Sequence, residues 1–339
     1  MGQEGSILAG DIGGTHARFA IIDRSDAAAW RLRNWLDLSQ DFASFAGALR
    51  HYLHGIDRHD VPEVIALAVA GPVVDGTVNF TNRNWQISAS ELRSFGFHAA
   101  HLVNDFAALA YAAPHLQPAD LRCIGPDIPG APEGTITILG AGTGFGVSCV
   151  ARYRGHPVPL ATEGGHIGFS PQGAEEIAIL QVLARQFDRV SVERILSGSG
   201  LESLARIMDE IASRAVRSLS AAEIVAHAAQ GDVTCRATLS TFCSIFGAVA
   251  GDIALAHGAR GGVLIAGGIA GKIESFLTQG LFRARFEAKG RLSSFVQSIP
   301  TRLIVNSHVA LLGAARAAEE MQPHHPAPAS HSSCQTNAS

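Results

Sequence analysis

The chain begins with a strand pattern. Ile7-Leu8-Ala9 is a short apolar run that stops at the pentapeptide Asp11-Ile12-Gly13-Gly14-Thr15 and resumes as Arg18-Phe19-Ala20-Ile21-Ile22, rich in β-branched and aromatic residues. The same plan returns later, where Ile136-Thr137-Ile138-Leu139 enters Gly140-Ala141-Gly142-Thr143-Gly144 and leaves through Gly146-Val147-Ser148-Cys149-Val150. Both glycine loops are therefore expected at hairpin tips. Between them, Val64–Ala70 is apolar at every position, which suits a strand buried on both faces, and Gly71-Pro72 ends it. His101-Leu102-Val103 reads as a further strand. The alanine-rich segment Phe106–Ala113, halted by Pro114, reads as a short buried helix starting just after Asn104-Asp105. The proline-rich stretch 114–134 reads as loop.

In the second half, Glu175–Phe187 has helical spacing with acidic residues at its start, where they suit the helix dipole. Thr234–His257 is a long, mostly apolar helix with Gly247 and Gly251 at points of close packing. Val263–Ala266 is a strand followed by Gly267-Gly268, Arg302–Val305 another strand, and Val309–Glu320 a final helix. This alternation predicts an α/β fold. At 339 residues the chain exceeds what one core usually supports. We expect one domain over 1–110 plus 302–320, carrying the first glycine loop, a second over 111–301, and a disordered tail over 321–339, rich in His, Pro, Ala and Ser.

Composition narrows the function classes. Hydrophobic residues make up 47% and charged residues 17%, with net charge −4, so no basic field is available for nucleic acid or an anionic membrane surface. Met1–Ser6 lacks the basic start of a secretion signal. The apolar uncharged span 134–151 is interrupted by the glycine hairpin and does not read as a membrane span. Five cysteines, an odd number, show neither CxxC nor a His/Cys metal spacing, so reduced thiols in the cytoplasm are expected. Cys149 and Cys243 read as small buried apolar groups.

Glycine lets backbone amides approach an anion and threonine adds a hydroxyl donor, so the two matched loops read as one clamp for the phosphates of a nucleotide. A dinucleotide fingerprint does not fit, because a strand rather than a helix follows each loop. Asp105, placed where a strand gives way to a helix, could accept a proton from an alcohol; by local sequence alone it could equally cap the helix. Glu163-Gly164-Gly165-His166 and Glu193 offer carboxylates and an imidazole suited to a polyol. Taken singly, His166 also reads as a core histidine, Glu193 as a solvated helical charge and Asp11 as an Asx-turn residue.

Together, Gly10–Thr15, Asn104-Asp105-Phe106, Gly140–Gly144, Glu163–His166, Glu193-Arg194-Ile195-Leu196-Ser197-Gly198 and Ala266-Gly267-Gly268-Ile269 resemble the bacterial glucokinase family, in order and spacing, over about residues 6–318. The resemblance implies the hexokinase-type, actin-like ATPase (ribonuclease H-like) fold, with duplicated domains flanking a cleft. It implies ATP-dependent phosphorylation of D-glucose at the 6-hydroxyl, with Asp105 as general base and Asn104, Asp105, Glu163, His166 and Glu193 on the sugar. On the nucleotide side it implies Gly10, Asp11, Ile12, Gly13, Gly14, Thr15, Gly142, Thr143 and Gly144 around the phosphates, and Gly267 and Gly268 near the adenosine. Asp11 would hold magnesium through water, and the molecule would be a homodimer. The CxCGxxGC zinc motif of the ROK sugar kinases is absent, so magnesium carried by ATP is the metal expected. His16 stands where the family commonly has asparagine, and Thr81–Trp85 matches a family segment near the sugar. Two alternatives stay open: a kinase for another hexose or amino sugar, and a non-catalytic sugar sensor. No helix-turn-helix segment precedes the first strand to favour the latter.

Overall fold

A strand that is apolar on both faces needs cover on both faces, and helices on the two sides of its sheet provide it. The computed structural model describes residues 5–14, 16–26, 29–38, 42–80 and 85–321. In the first part of the chain the strands are β1 (Ser6–Ile12), β2 (Ala17–Asp26), β3 (Ala29–Leu38), β4 (Val64–Val69), β5 (Thr77–Asn79), β6 (Gln86–Ser88) and β7 (Ala99–Asn104). In the second they are β8 (Leu121–Cys123), β9 (Ile136–Ala141), β10 (Phe145–Tyr153), β11 (His156–Thr162), β12 (Gly262–Ala266) and β13 (Thr301–Ile304). The first sheet runs β3-β2-β1-β4-β7 and the second β11-β10-β9-β12-β13-β8, while β5 and β6 form a small hairpin. Each sheet joins an antiparallel meander to a parallel half: β1 pairs antiparallel with β2 and parallel with β4, and β9 pairs antiparallel with β10 and parallel with β12.

Both glycine loops sit at hairpin tips, as expected. Two expectations need correction. The stretch 114–134 is not all loop, because β8 adds antiparallel to β13 at the edge of the second sheet; three residues are too few for periodicity to announce a strand. The segment starting at 302 was expected in the first domain, yet Thr301–Ile304 pairs with β12 in the second sheet. The chain crosses back only with the helix Val309–Met321. Residues 322–339, the expected tail, lie outside the described residues.

The helices Asp105–Ala112 and Val309–Met321 pack on each other between the sheets. Ala108 joins Ala314, Ala315 and Ala318 of the last helix in a core with Ile7, Ala9, Ile22, Ala66 and Ala68 of the first sheet. On its other side, Ala110, with Phe106 and Leu109, packs on Ile138, Val150, Leu264 and Ala266 of the second. A helix apolar all round is a buried helix, and small alanine side chains let both sheets approach it. The far face of the second sheet is covered by Val233–His257. Its Phe246 meets Phe145 and Phe282 edge-on at centroid distances of 5.6 and 5.5 Å. Each such buried ring contributes about 1.5–3 kcal/mol. The helix is long and apolar enough to cross a membrane, but 67% of its most apolar window is buried against this core.

Candidate active site

Register places the first half of the site. Ile12 aligns with Val69 and Val69 with Asn104, so β1, β4 and β7 end in one row at the carboxyl edge of the sheet. That edge is where open α/β sheets bind ligands. The Asn104 Oδ1 accepts from the amides of Phe106 (3.0 Å) and Ala107 (3.2 Å), while its Nδ2 donates to the Gly71 carbonyl at 3.3 Å. Asn104 is therefore the cap of the following helix, which frees Asp105 from that duty. The Asp105 carboxylate accepts from the Phe106 amide at 2.9 Å. Burial, and then the neighbouring Asp11 charge, push its pKa up to about 7. Burial also raises the Asp11 carboxyl, against the pull of Arg18. The Arg18 guanidinium lies 3.4 Å from Asp11 and 3.1 Å from Asp37, and His16 Nδ1 is 3.3 Å from Asp37.

The second sheet repeats this placement. Gly140 aligns with Ala266, which sets the second glycine loop beside Gly267-Gly268 at the start of the short helix Gly268–Lys272. Backbone bonds close both turns, Gly13 N–H to His16 O at 2.9 Å and Gly142 N–H to Gly144 O at 2.8 Å. The Gly198 amide braces the second turn by donating to Gly142 O at 2.9 Å, at the start of a helix that Ser197 caps. Glu193 Oε2 accepts from the Phe145 amide at 2.8 Å and lies directly over Gly144. The Glu163–His166 turn reaches the same place because its outgoing chain is laced to 190–192, through Phe169 N–H to Val190 O (3.0 Å) and Val192 N–H to Ile167 O (2.9 Å). Glu163 Oε2 is 3.8 Å from His166 Nε2, and these side chains are 75% and 60% exposed.

Asn104, Asp105 and Asp11 thus gather on one side, and Glu163, His166, Glu193 and the second loop on the other. Phe106 crosses between them to touch Gly146. Thr15, and Thr81–Asn84 of the family-like segment, lie outside the described residues, while Trp85 is core and donates its Nε1–H to Phe42 O. Sequence reasoning missed Arg18, although a hairpin register pairing Ile12 with Ala17 puts Arg18 directly opposite Asp11. It quoted Ser197-Gly198 within a motif but gave them no role, although a serine cap ahead of a helical pattern signals one.

Cys149 and Cys243 are buried free thiols, as expected, and burial pushes Cys243 up to about 12. The chain shows no His/Cys metal spacing in sequence, yet ligand atoms of His227, Asp232 and Cys235 lie within 4.8 Å of one another in space. Both Asp232 oxygens are engaged, however, one by the Cys235 amide at 2.8 Å and one by Arg217 at 2.7 Å. The trio is a capped helix start with a guanidinium beside it.

A glucokinase family model matches residues 8–321. The glucokinase of Caulobacter sp. (strain K31) is 50% identical over 310 residues, covering 91% of this chain and 93% of that one. Among solved structures, a glucokinase from an Antarctic psychrotroph is 37% identical, with a TM-score of 0.83 over 94% of this chain and all of that one. A ROK family glucokinase from Streptomyces griseus, solved with glucose and AMPPNP, is 19% identical with a TM-score of 0.64 over 93% of this chain and all of that one, a likeness of fold alone. The α/β architecture is that of the actin-like sugar kinases, and the chain belongs to the glucokinase family.

Proposed function

We infer that this protein transfers the γ-phosphoryl group of ATP to the 6-hydroxyl of D-glucose, with Asp105 as general base. The observation that carries the reading is the Asp105 carboxylate, released from capping by Asn104 and held beside the Asp11 turn with a pKa of about 7. A base titrating near neutrality combines a large ionised fraction with useful proton affinity. Membership in the glucokinase family supplies the reaction class. The sheets belong to duplicated domains flanking a cleft, an assignment supported by their shared strand order.

Asn104, Glu163, His166 and Glu193 orient the sugar, each offering a fixed donor or acceptor to its hydroxyls. As the sugar oxygen bonds to the γ-phosphorus, the bond from that phosphorus to the β–γ bridging oxygen breaks. ADP leaves, and the hydroxyl proton passes to Asp105. The two glycine turns, Gly10–Thr15 and Gly142–Gly144, take the phosphates between them, through groups other than the Gly13 and Gly142 amides that close the turns, and Gly267-Gly268 lies against the adenosine. Two partly buried carboxylates sharing one arginine leave negative charge that suits a divalent cation, and Asp11 is the residue to hold magnesium through water. Magnesium supplies charge neutralisation across the phosphates when bound. Cytoplasmic location and a homodimer belong to the same reading.

A coupled assay of ADP release tests it: ADP should form rapidly with glucose and slowly without. Equal rates in both, or a faster rate with another hexose or an amino sugar across a panel, would overturn the glucose assignment. The pH profile adds a second test. Asp105 must be ionised, so kcat/KM for glucose is expected to fall tenfold per unit below about pH 7. Asp11→Asn removes the neighbouring like charge, so its acidic limb should move to lower pH. A limb that stays put in Asp11→Asn would mean that another group titrates.

A further inference from the structure

Asp105 grows from the first sheet, yet the residue that follows it is anchored on the second. Its carboxylate accepts from the Phe106 amide, which it shares with Asn104 Oδ1, so the placing of the Phe106 backbone bears on the carboxylate. The carbonyl and ring of Phe106 are anchored by β10. The buried Ser148 hydroxyl donates to the Phe106 carbonyl at 2.7 Å, and the Phe106 ring lies flush on Gly146, where any Cβ would collide with it. Ser148 and Gly146 are spaced two apart on one strand and so present to one face. The same strand begins at Phe145, whose amide holds Glu193, and leaves directly from the second glycine turn.

We propose that Ser148 and Gly146 are positioning residues for Asp105, clamping Phe106 so that the base is set by the strand that leaves the second phosphate turn. A displacement of that turn is then carried along β10 to the carboxylate. Phosphate engagement on one side of the site thereby adjusts the base on the other. This rests on Asp105 being the base.

The test is a double-mutant cycle between Ser148→Ala and Asp105→Asn, read by steady-state kinetics. Losing a hydrogen bond and loosening the base should lower kcat about tenfold in Ser148→Ala, with both KM values within about twofold. In an Asp105→Asn background the same change should cost almost nothing further, because the group it positions is already gone. Near-constant KM values together with the vanishing of the effect in Asp105→Asn form a readout that general loosening of the core does not reproduce. Gly146→Ala, which pushes the Phe106 ring from the other contact, provides an independent variant and should reproduce the pattern. An equal loss of kcat with and without Asp105, or unchanged kcat in both single variants, would overturn the proposal. Near-normal turnover in Asp105→Asn alone would instead overturn the base assignment on which it rests.

Discussion

Asp105→Asn is expected to lower kcat by about 10³-fold while ATP and glucose still bind, since a general base contributes typically 10²–10⁴. The amide keeps the volume and the acceptor for the Phe106 amide, but it cannot take the hydroxyl proton. The same substitution should stabilise the fold, and the direction follows from proton linkage. Asp105 has a pKa of about 7 when folded against 3.8 for an unperturbed aspartate. Between those values the folded state holds more protons than the unfolded chain, so wild-type stability falls as pH rises through this window. Above pH 7 the cost is complete, with an upper limit of about 4 kcal/mol for a three-unit shift. Asparagine carries no such charge. Its melting temperature should exceed that of wild type by a few degrees at pH 8 and nearly match it at pH 4, measured by calorimetry. A variant that is inactive yet more stable at alkaline pH separates loss of chemistry from loss of structure. Near-normal turnover, or a melting difference that does not depend on pH, would sink the assignment.

What could be read from the chain in advance were features with a local cause. Apolar runs bounded by glycines gave the two hairpins, and Phe106–Ala113 gave the helix between the sheets, because chemistry over five to ten residues settles each. Features that depend on partners distant in sequence were hidden. β8 exists only because β13 offers it an edge. Asn104 and Asp105 are both good caps by type, and only the backbone geometry shows that Asn104 takes the role. The approach of the Glu163–His166 turn to Glu193 has no local signal, since it depends on the lacing of 167–169 to 190–192. The resemblance of motifs stood in for that geometry; the structure gives its physical means, two segments meeting at the Phe145 backbone, with the amide bonded to Glu193 and the carbonyl pressed on Gly165.

That shared residue makes Gly165→Ala the second large effect. A Cβ at Gly165 would collide with the Phe145 carbonyl oxygen, which belongs to β10 and is fixed by pairing with β9, so no flexible side chain can yield. Overpacking of this kind costs typically 1–3 kcal/mol, and the turn rather than the sheet is the part able to move. Moving it carries Glu163 and His166 away from the cleft and strains the bond from the Phe145 amide to Glu193, so three of the proposed sugar contacts fail together. The KM for glucose is expected to rise about 100-fold, equivalent to about 2.8 kcal/mol of binding, with ATP binding changed only a few-fold because the two phosphate turns are untouched. Gly168→Ala is the control: it lies in the same segment, but a Cβ there meets nothing within 4 Å, so its glucose KM should stay near wild type. Isothermal titration with glucose, alongside steady-state kinetics on both variants, reads the difference. If Gly165→Ala binds glucose as well as Gly168→Ala does, the Glu163–His166 turn does not line the sugar site.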